Sequence, residues 1–197
     1  MGMMRAGAHL GTTGIWRKAS RFWSDRRGIA AVEFALIMPI LLIMYLVTME
    51  ASQAIETSKK VSRIGSMVAD LVTQQPTADQ TTLKAIMEIG SVTLQPYTRS
   101  KPKITITAIQ VPTDITRPLQ VKWSRQLIDG RDGAGPTTTT VPPKLLVADT
   151  FLIRVDSILT YKTVLGLGLG STFNNLSMSE TYYLRPRRSA TIPCTNC

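Results

Sequence analysis

Histidine and cysteine are nearly absent from this chain. Its one histidine is His9, and its two cysteines are Cys194 and Cys197. Beyond residue 28 no imidazole is available as a base for a serine nucleophile, and the acids form no metal-like cluster. No enzyme activity is therefore expected, and no cofactor, metal or small-molecule substrate. Cys194 and Cys197 supply at best half of a zinc site. Outside the cytoplasm they can form a disulfide with each other or pair with another chain. Acids are also scarce: 13 against 23 lysines and arginines, a net charge of +10. About half of that excess precedes Gly28, and the other basic residues are scattered with no aromatic interleaving. That pattern argues against a nucleic-acid partner. Anionic headgroups of membrane lipid, or acidic partners, suit the charge better.

Charge itself is nearly missing from one long stretch. Ser24–Met49 reads SDRRGIAAVEFALIMPILLIMYLVTM, and from Ile29 onward its only carboxylate is Glu33 and its only proline is Pro39. About twenty apolar residues at 1.5 Å each cover the roughly 30 Å hydrocarbon core of a bilayer. A cleaved secretory signal has a shorter apolar region of about 7–15 residues, so a membrane-resident helix is expected. Pro39 removes one backbone donor, which membrane helices tolerate as a kink. Arg5, Arg17, Lys18, Arg21, Arg26 and Arg27 precede the run against one acid, Asp25, while Glu50 and Glu56 follow it. Basic flanks stay inside, so the N-terminus is expected in the cytoplasm and Glu50 onward outside.

Glu33 stands out. One reading puts it shallow in the membrane, reaching the headgroups. The other depends on spacing: if the chain is cut between Gly28 and Ile29, the new α-amino group lies one helical turn from Glu33, on the same face. The two charges can then neutralise each other, within one chain or between neighbours.

Arg27-Gly28-Ile29-Ala30-Ala31-Val32-Glu33-Phe34 resembles the processing site of type IVb prepilin-like proteins. The wider context, Asp25 to Ala35, resembles the TadE-like (TadE/TadF) proteins of the tight-adherence (Flp) pilus system. The resemblance covers about residues 25–67. It implies cleavage by a prepilin peptidase after Gly28, leaving Ile29 as the mature N-terminus, Glu33 as fifth residue and Phe34 after it. It also implies a pseudopilin or minor-pilin role in pilus assembly, with the peptidase and other pilin-like subunits as partners. The expected place is the bacterial inner membrane, single-pass, with the C-terminal domain in the periplasm.

In chain order, residues 1–28 read as a basic cytoplasmic leader. Its Ile15, Trp16, Phe22 and Trp23 are interspersed with basic residues and can lie on the inner leaflet, although a leader discarded on processing is the plainer reading. Residues 29–49 form the transmembrane helix and 50–75 an extracytoplasmic extension of it. Ala54, Ile55, Val61, Ile64, Val68, Leu71 and Val72 recur at helical spacing there. A helix from Ile29 to Thr73 would run about 68 Å, a membrane anchor continuing into an amphipathic spine, which resembles pilins. The rest, 76–197, reads as a helix plus sheet domain. Thr77 to Gln95 is a helix capped by Asp79 or Thr81, with Leu83, Ile86, Met87 and Ile89 as its core stripe.

The period then changes to that of strands. Lys103–Val111 alternates, with Ile104, Ile106 and Ala108 on one face. Leu119–Ile128 places Val121 and Trp123 together. Asp129–Pro143 reads as a surface loop: Asp129, Asp132 and Gly133 are calcium-loop residue types, but the EF-hand spacing and closing glutamate are absent. Leu146–Lys162 holds the clearest strand, with Phe151, Ile153, Val155, Leu159 and Tyr161 on one face. Val164–Gly170, VLGLGLG, reads as an apolar turn, with no lysine to make it a phosphate loop. Asn174–Arg187 is the last strand, with Met178, Tyr182 and Leu184 inward. The fold class is therefore α+β, with about four antiparallel strands on the helical spine.

Other readings predict other N-termini. An uncleaved, membrane-anchored periplasmic binding or scaffold domain keeps its start. Export with cleavage after Ser52-Gln53-Ala54 would begin at Ile55, and Arg26-Arg27 resembles part of a twin-arginine signal. Glu33 and the length of the apolar run argue against these last two.

Overall fold

The computed structural model describes residues 28–163 and 176–197. The leader, the VLGLGLG turn and the Asn174 start of the last strand lie outside the described residues. The fold is α+β, as the alternating periods imply. Helix α1 is Ile29–Thr73, 45 residues with Pro39 inside it. Helix α2 is Gln80–Val92. The strands are β1 (Lys103–Gln110), β2 (Gln120–Ile128), β3 (Arg131–Ala134), β4 (Phe151–Tyr161) and β5 (Leu176–Leu184). They form one sheet in the order β3-β2-β1-β4-β5, every neighbouring pair antiparallel. The chain divides into two units between Thr48 and Met49.

In the unit from Met49 onward, the final part of α1 and all of α2 cover one sheet face. Val61, Ile64, Val68 and Val72 of α1 are fully buried, at the i, i+3, i+7 and i+11 positions of one stripe. They meet Ile104, Ile106, Ile153 and Leu159, the inward residues of the two central strands. On the opposite face, residues 135–150 fold back over one end of the sheet. Val141 there joins Ile109, Val111 and Leu152 in a smaller cluster.

Asp79 caps α2. Its carboxylate accepts from the Thr82 backbone N–H at 2.8 Å and from the Thr82 hydroxyl at 2.9 Å. Those bonds, the backbone one foremost, hold the Asp79 carboxyl below its usual range.

Two expectations need correction. Asp129–Pro143 is not all loop, because Arg131–Ala134 pairs with β2 as a fifth strand. Asp129 and Gly130 both take positive φ, 52° and 81°, the geometry of a two-residue hairpin turn. The Asp-Gly pair directly after a strand is the local sign of this turn. In α2 the inward positions are Leu83, Ile86, Met87 and Gly90, while Ile89 is exposed. A Cβ on Gly90 would stand 2.9 Å from Val68 Cγ2 and 3.1 Å from Ile64 Cγ2, so close approach to α1 reserves that place for glycine.

Gly65 does the same for α1 against the sheet. A Cβ there would lie 2.8 Å from the Tyr182 ring and 2.9 Å from Ser157 Oγ. Neither neighbour is free to yield. Tyr182 OH shares a 2.6 Å hydrogen bond with Ser62 Oγ, and Ser157 Oγ donates to the Val61 carbonyl at 3.1 Å. Overpacking costs about 1–3 kcal/mol, and alanine returns roughly 1 kcal/mol of helix preference. Gly65→Ala should therefore lower stability by up to about 2 kcal/mol despite improving the helix. Urea unfolding of the full chain in detergent measures it, and a stabilised variant would refute the close contact.

Candidate functional site

The first unit presents its chemistry on the opening turns of α1. Gly28 directly precedes the helix, and a Cβ built on it meets no described residue within 4 Å. Ile29, Val32, Glu33 and Phe34 are all exposed. The first turn holds no acid, and Glu33 is the first carboxylate within α1, one residue beyond that turn. Its side chain makes no hydrogen bond or ion pair with another described residue.

From Ile29 to Val47, thirteen large apolar side chains are exposed. Covering each would be worth about 1.5–3 kcal/mol, so together they represent about 20–40 kcal/mol. A domain's whole stability is about 5–15 kcal/mol. A surface of that size requires an apolar surrounding. Among the described residues, α1 is the one helix long and apolar enough to cross a membrane, and its most apolar stretch is not buried in protein. By length and composition it is a candidate membrane anchor.

Just past the apolar run, the second unit gathers a cluster that no sequence pattern foretells. The Tyr161 hydroxyl donates to Glu50 Oε1 at 2.7 Å. Arg99 donates to Gln53 Oε1 at 2.9 Å and to the Lys162 carbonyl at 2.8 Å. Its guanidinium lies 5.2 Å from the Tyr97 ring centroid and 5.9 Å from that of Tyr161, and the two rings stack at 5.3 Å. Burial raises the Tyr161 hydroxyl above the ordinary tyrosine range; the bond to Glu50 adds to this and Arg99 offsets part of it. The phenol therefore remains a donor to Glu50 at neutral pH. Cleavage after Ala54 would fall inside α1 and remove both Glu50 and Gln53 from this cluster.

Cys194 and Cys197 form a disulfide with each other. The tail that carries them lies along the start of α2. Ala78 N–H donates to the Pro193 carbonyl at 2.9 Å, and Gln80 N–H to Asn196 Oδ1 at 2.9 Å. Trp123 Nε1 donates to the Ile192 carbonyl at 2.7 Å. The bridge thus closes a tail packed on the domain.

Among the described residues, no group of three or more His, Cys, Asp and Glu side chains could hold a metal. An open groove of about 430 Å³ crosses the outer sheet face beside Lys103, Thr105, Gln126 and Arg154. Arg154 is already committed there, to Asp156 Oδ1 at 2.9 Å and to Thr139 Oγ1 at 2.9 Å.

Residues 28–63 match the family model described as TadE-like protein. No curated protein matches the chain, and no solved structure does. The matched segment starts at Gly28 and contains the whole exposed apolar stretch, so the likeness is confined to α1.

Proposed function

We propose that this chain is a prepilin-like assembly protein of a Tad-type pilus machine, and not an enzyme. A prepilin peptidase cuts it after Gly28 at the inner membrane. Before the cut, the basic leader lies in the cytoplasm, α1 spans the bilayer and the sheet domain stands in the periplasm. Cleavage removes the leader's positive charge and leaves an ammonium group on Ile29. One turn away, Glu33 then gains a partner for a charge that costs about 2.5–3.5 kcal/mol at a bilayer centre. Ala30, Ala31 and Ala35 are small enough to let α1 pack beside the helices of other pilus subunits. The observation behind this reading is that the TadE-like match opens on Gly28 and runs along an apolar helix that no described residue covers.

The test is the intact mass and N-terminal residue of the membrane-extracted protein, from cells with and without a prepilin peptidase. The expected chain begins at Ile29 only when the peptidase is present. An uncut chain in both strains would overturn processing and leave a plain membrane-anchored domain. A chain beginning at Ile55 would make the protein a secreted one.

A further inference from the structure

The cluster around Glu50 lies at one end of the sheet, and other side chains there share its character. Tyr161 ends β4, and its partner in the register is Leu176, the first residue of β5. Lys103 opens β1 at the same end, one position before the Ile104–Leu127 pair, and Ile128 closes β2 there. Ile128 and Leu176 are exposed although apolar. Lys162 and Lys101 are exposed as well, and Lys101 Nζ reaches to 3.5 Å from the place of a Cβ on Gly130, in the β2–β3 turn. The one acid in the cluster, Glu50, is answered by Tyr161 at 2.7 Å and by Arg99 at 4.0 Å. Counting Asp129 in the β2–β3 turn with Glu50, against Arg99, Lys101, Lys103 and Lys162, the balance of charge among the described residues at this end is positive, set beside Tyr97 and exposed aliphatic side chains.

We propose that this end of the sheet is a docking surface for phospholipid headgroups, with Arg99 and Lys162 binding their phosphates. The inference rests on the reading of α1 as a membrane anchor. Three observations favour this occupant. Glu50 follows the apolar run directly, so Glu50 and Gln53 lie within about one turn of its end. Tyrosines with an apolar body and a polar tip collect where hydrocarbon meets water, and half-buried Tyr97 is placed for this, stacked on the buried Tyr161 ring. Arg99 is fixed by the Gln53 and Lys162 oxygens through one N–H on each terminal nitrogen, and a guanidinium has five such donors. The rest of its fork suits a phosphate. Among the described residues the Lys162 side chain has no hydrogen-bond or ion-pair partner, while its backbone N–H is held by Tyr97 OH at 2.7 Å. Its backbone position is thereby set.

The test is hydrogen exchange of the full chain in phospholipid nanodiscs containing phosphatidylglycerol, compared with a maltoside detergent that carries no phosphate. Segments 97–101 and 160–163 should exchange at least about fivefold more slowly in the discs, the contribution of one cation near a charged surface. Lys162→Gln should remove part of that protection and Arg99→Gln combined with Lys162→Gln most of it. Lys144→Gln, in the loop on the outer sheet face, should change nothing. Lys162→Gln alone keeps the comparison valid if loss of Arg99 unsettles the fold, since the lysine's charged end bonds to no other described residue. Equal exchange in discs and maltoside would overturn the proposal, and so would protection indifferent to Lys162→Gln. Protection produced in maltoside by inorganic phosphate would also overturn it, by showing a free-anion site. A chain that fails to enter the discs would instead refute the anchor reading.

Discussion

Asp132→Ala should destabilise the C-terminal unit by about 3–5 kcal/mol, the cost of stripping one partner from a buried ion pair. Arg125 lies on the inward face of β2, between Trp123 and Leu127, and Asp132 faces it from β3. The two side chains are only 9% and 8% exposed. Gln80 Nε2 also donates to Asp132, at 3.0 Å, tying the start of α2 to the pair. Alanine would leave a guanidinium without a counter-charge in a place where its Nε already lacks a hydrogen-bond partner. Well-packed apolar residues can replace such a pair at little cost or with a gain. Arg125→Met combined with Asp132→Leu should therefore be far more stable than either single variant. Urea unfolding of the four proteins, followed by far-ultraviolet circular dichroism, gives the cycle. A double variant as unstable as Asp132→Leu alone would show that shape matters here and charge does not.

The same pair shows where reading the sequence stops. Alternation makes β2 recognisable, but it offers no reason to bury Arg125 with Trp123 and Leu127. The reason is Asp132, and Asp132 lies in a strand of four residues, RDGA, with no apolar alternation. β3 is held by backbone bonds to β2 and by the Asp129-Gly130 turn, so hydrophobic pattern misses it while turn chemistry would have found it. Gly90 shows a second blind spot. Counting apolar residues passes over a glycine whose value is the absence of a side chain, and so selects exposed Ile89 instead. By contrast, α1 was legible from end to end: its first twenty-one residues carry one charge, Glu33, the apolar spacing of its second half is helical, and Pro76 follows its end. The Glu50 cluster was not legible at all. It joins residues 46, 63 and 111 positions apart, which only the assembled sheet brings together.

Gly28→Leu should abolish maturation while leaving the protein folded and in the membrane. A Cβ at Gly28 meets no described residue within 4 Å, and the helix proper begins one residue later. The side chain therefore has room, and the domain beyond Met49 should be as stable as before. On a purely structural view, this substitution would be silent. On the proposed view, Gly28 is the residue a peptidase must accept beside the scissile bond. A fitted pocket discriminates a single extra methylene by about 10–200-fold, and leucine presents a whole branched side chain. The fraction of chain beginning at Ile29 should fall at least about a hundredfold by that measure, in cells that process the unaltered protein fully. Glu33→Leu separates a second step. It removes the carboxylate but not the glycine, so it tests whether the acid serves recognition or the packing that follows. If Glu33 serves only to neutralise the Ile29 ammonium, the variant should be cut yet fail to associate with other subunits in membrane extracts. Intact mass distinguishes the outcomes directly. A Gly28→Leu chain that still begins at Ile29 would remove the glycine from the mechanism. A Glu33→Leu chain that assembles normally would return that acid to the shallow, headgroup-facing role its exposure also permits.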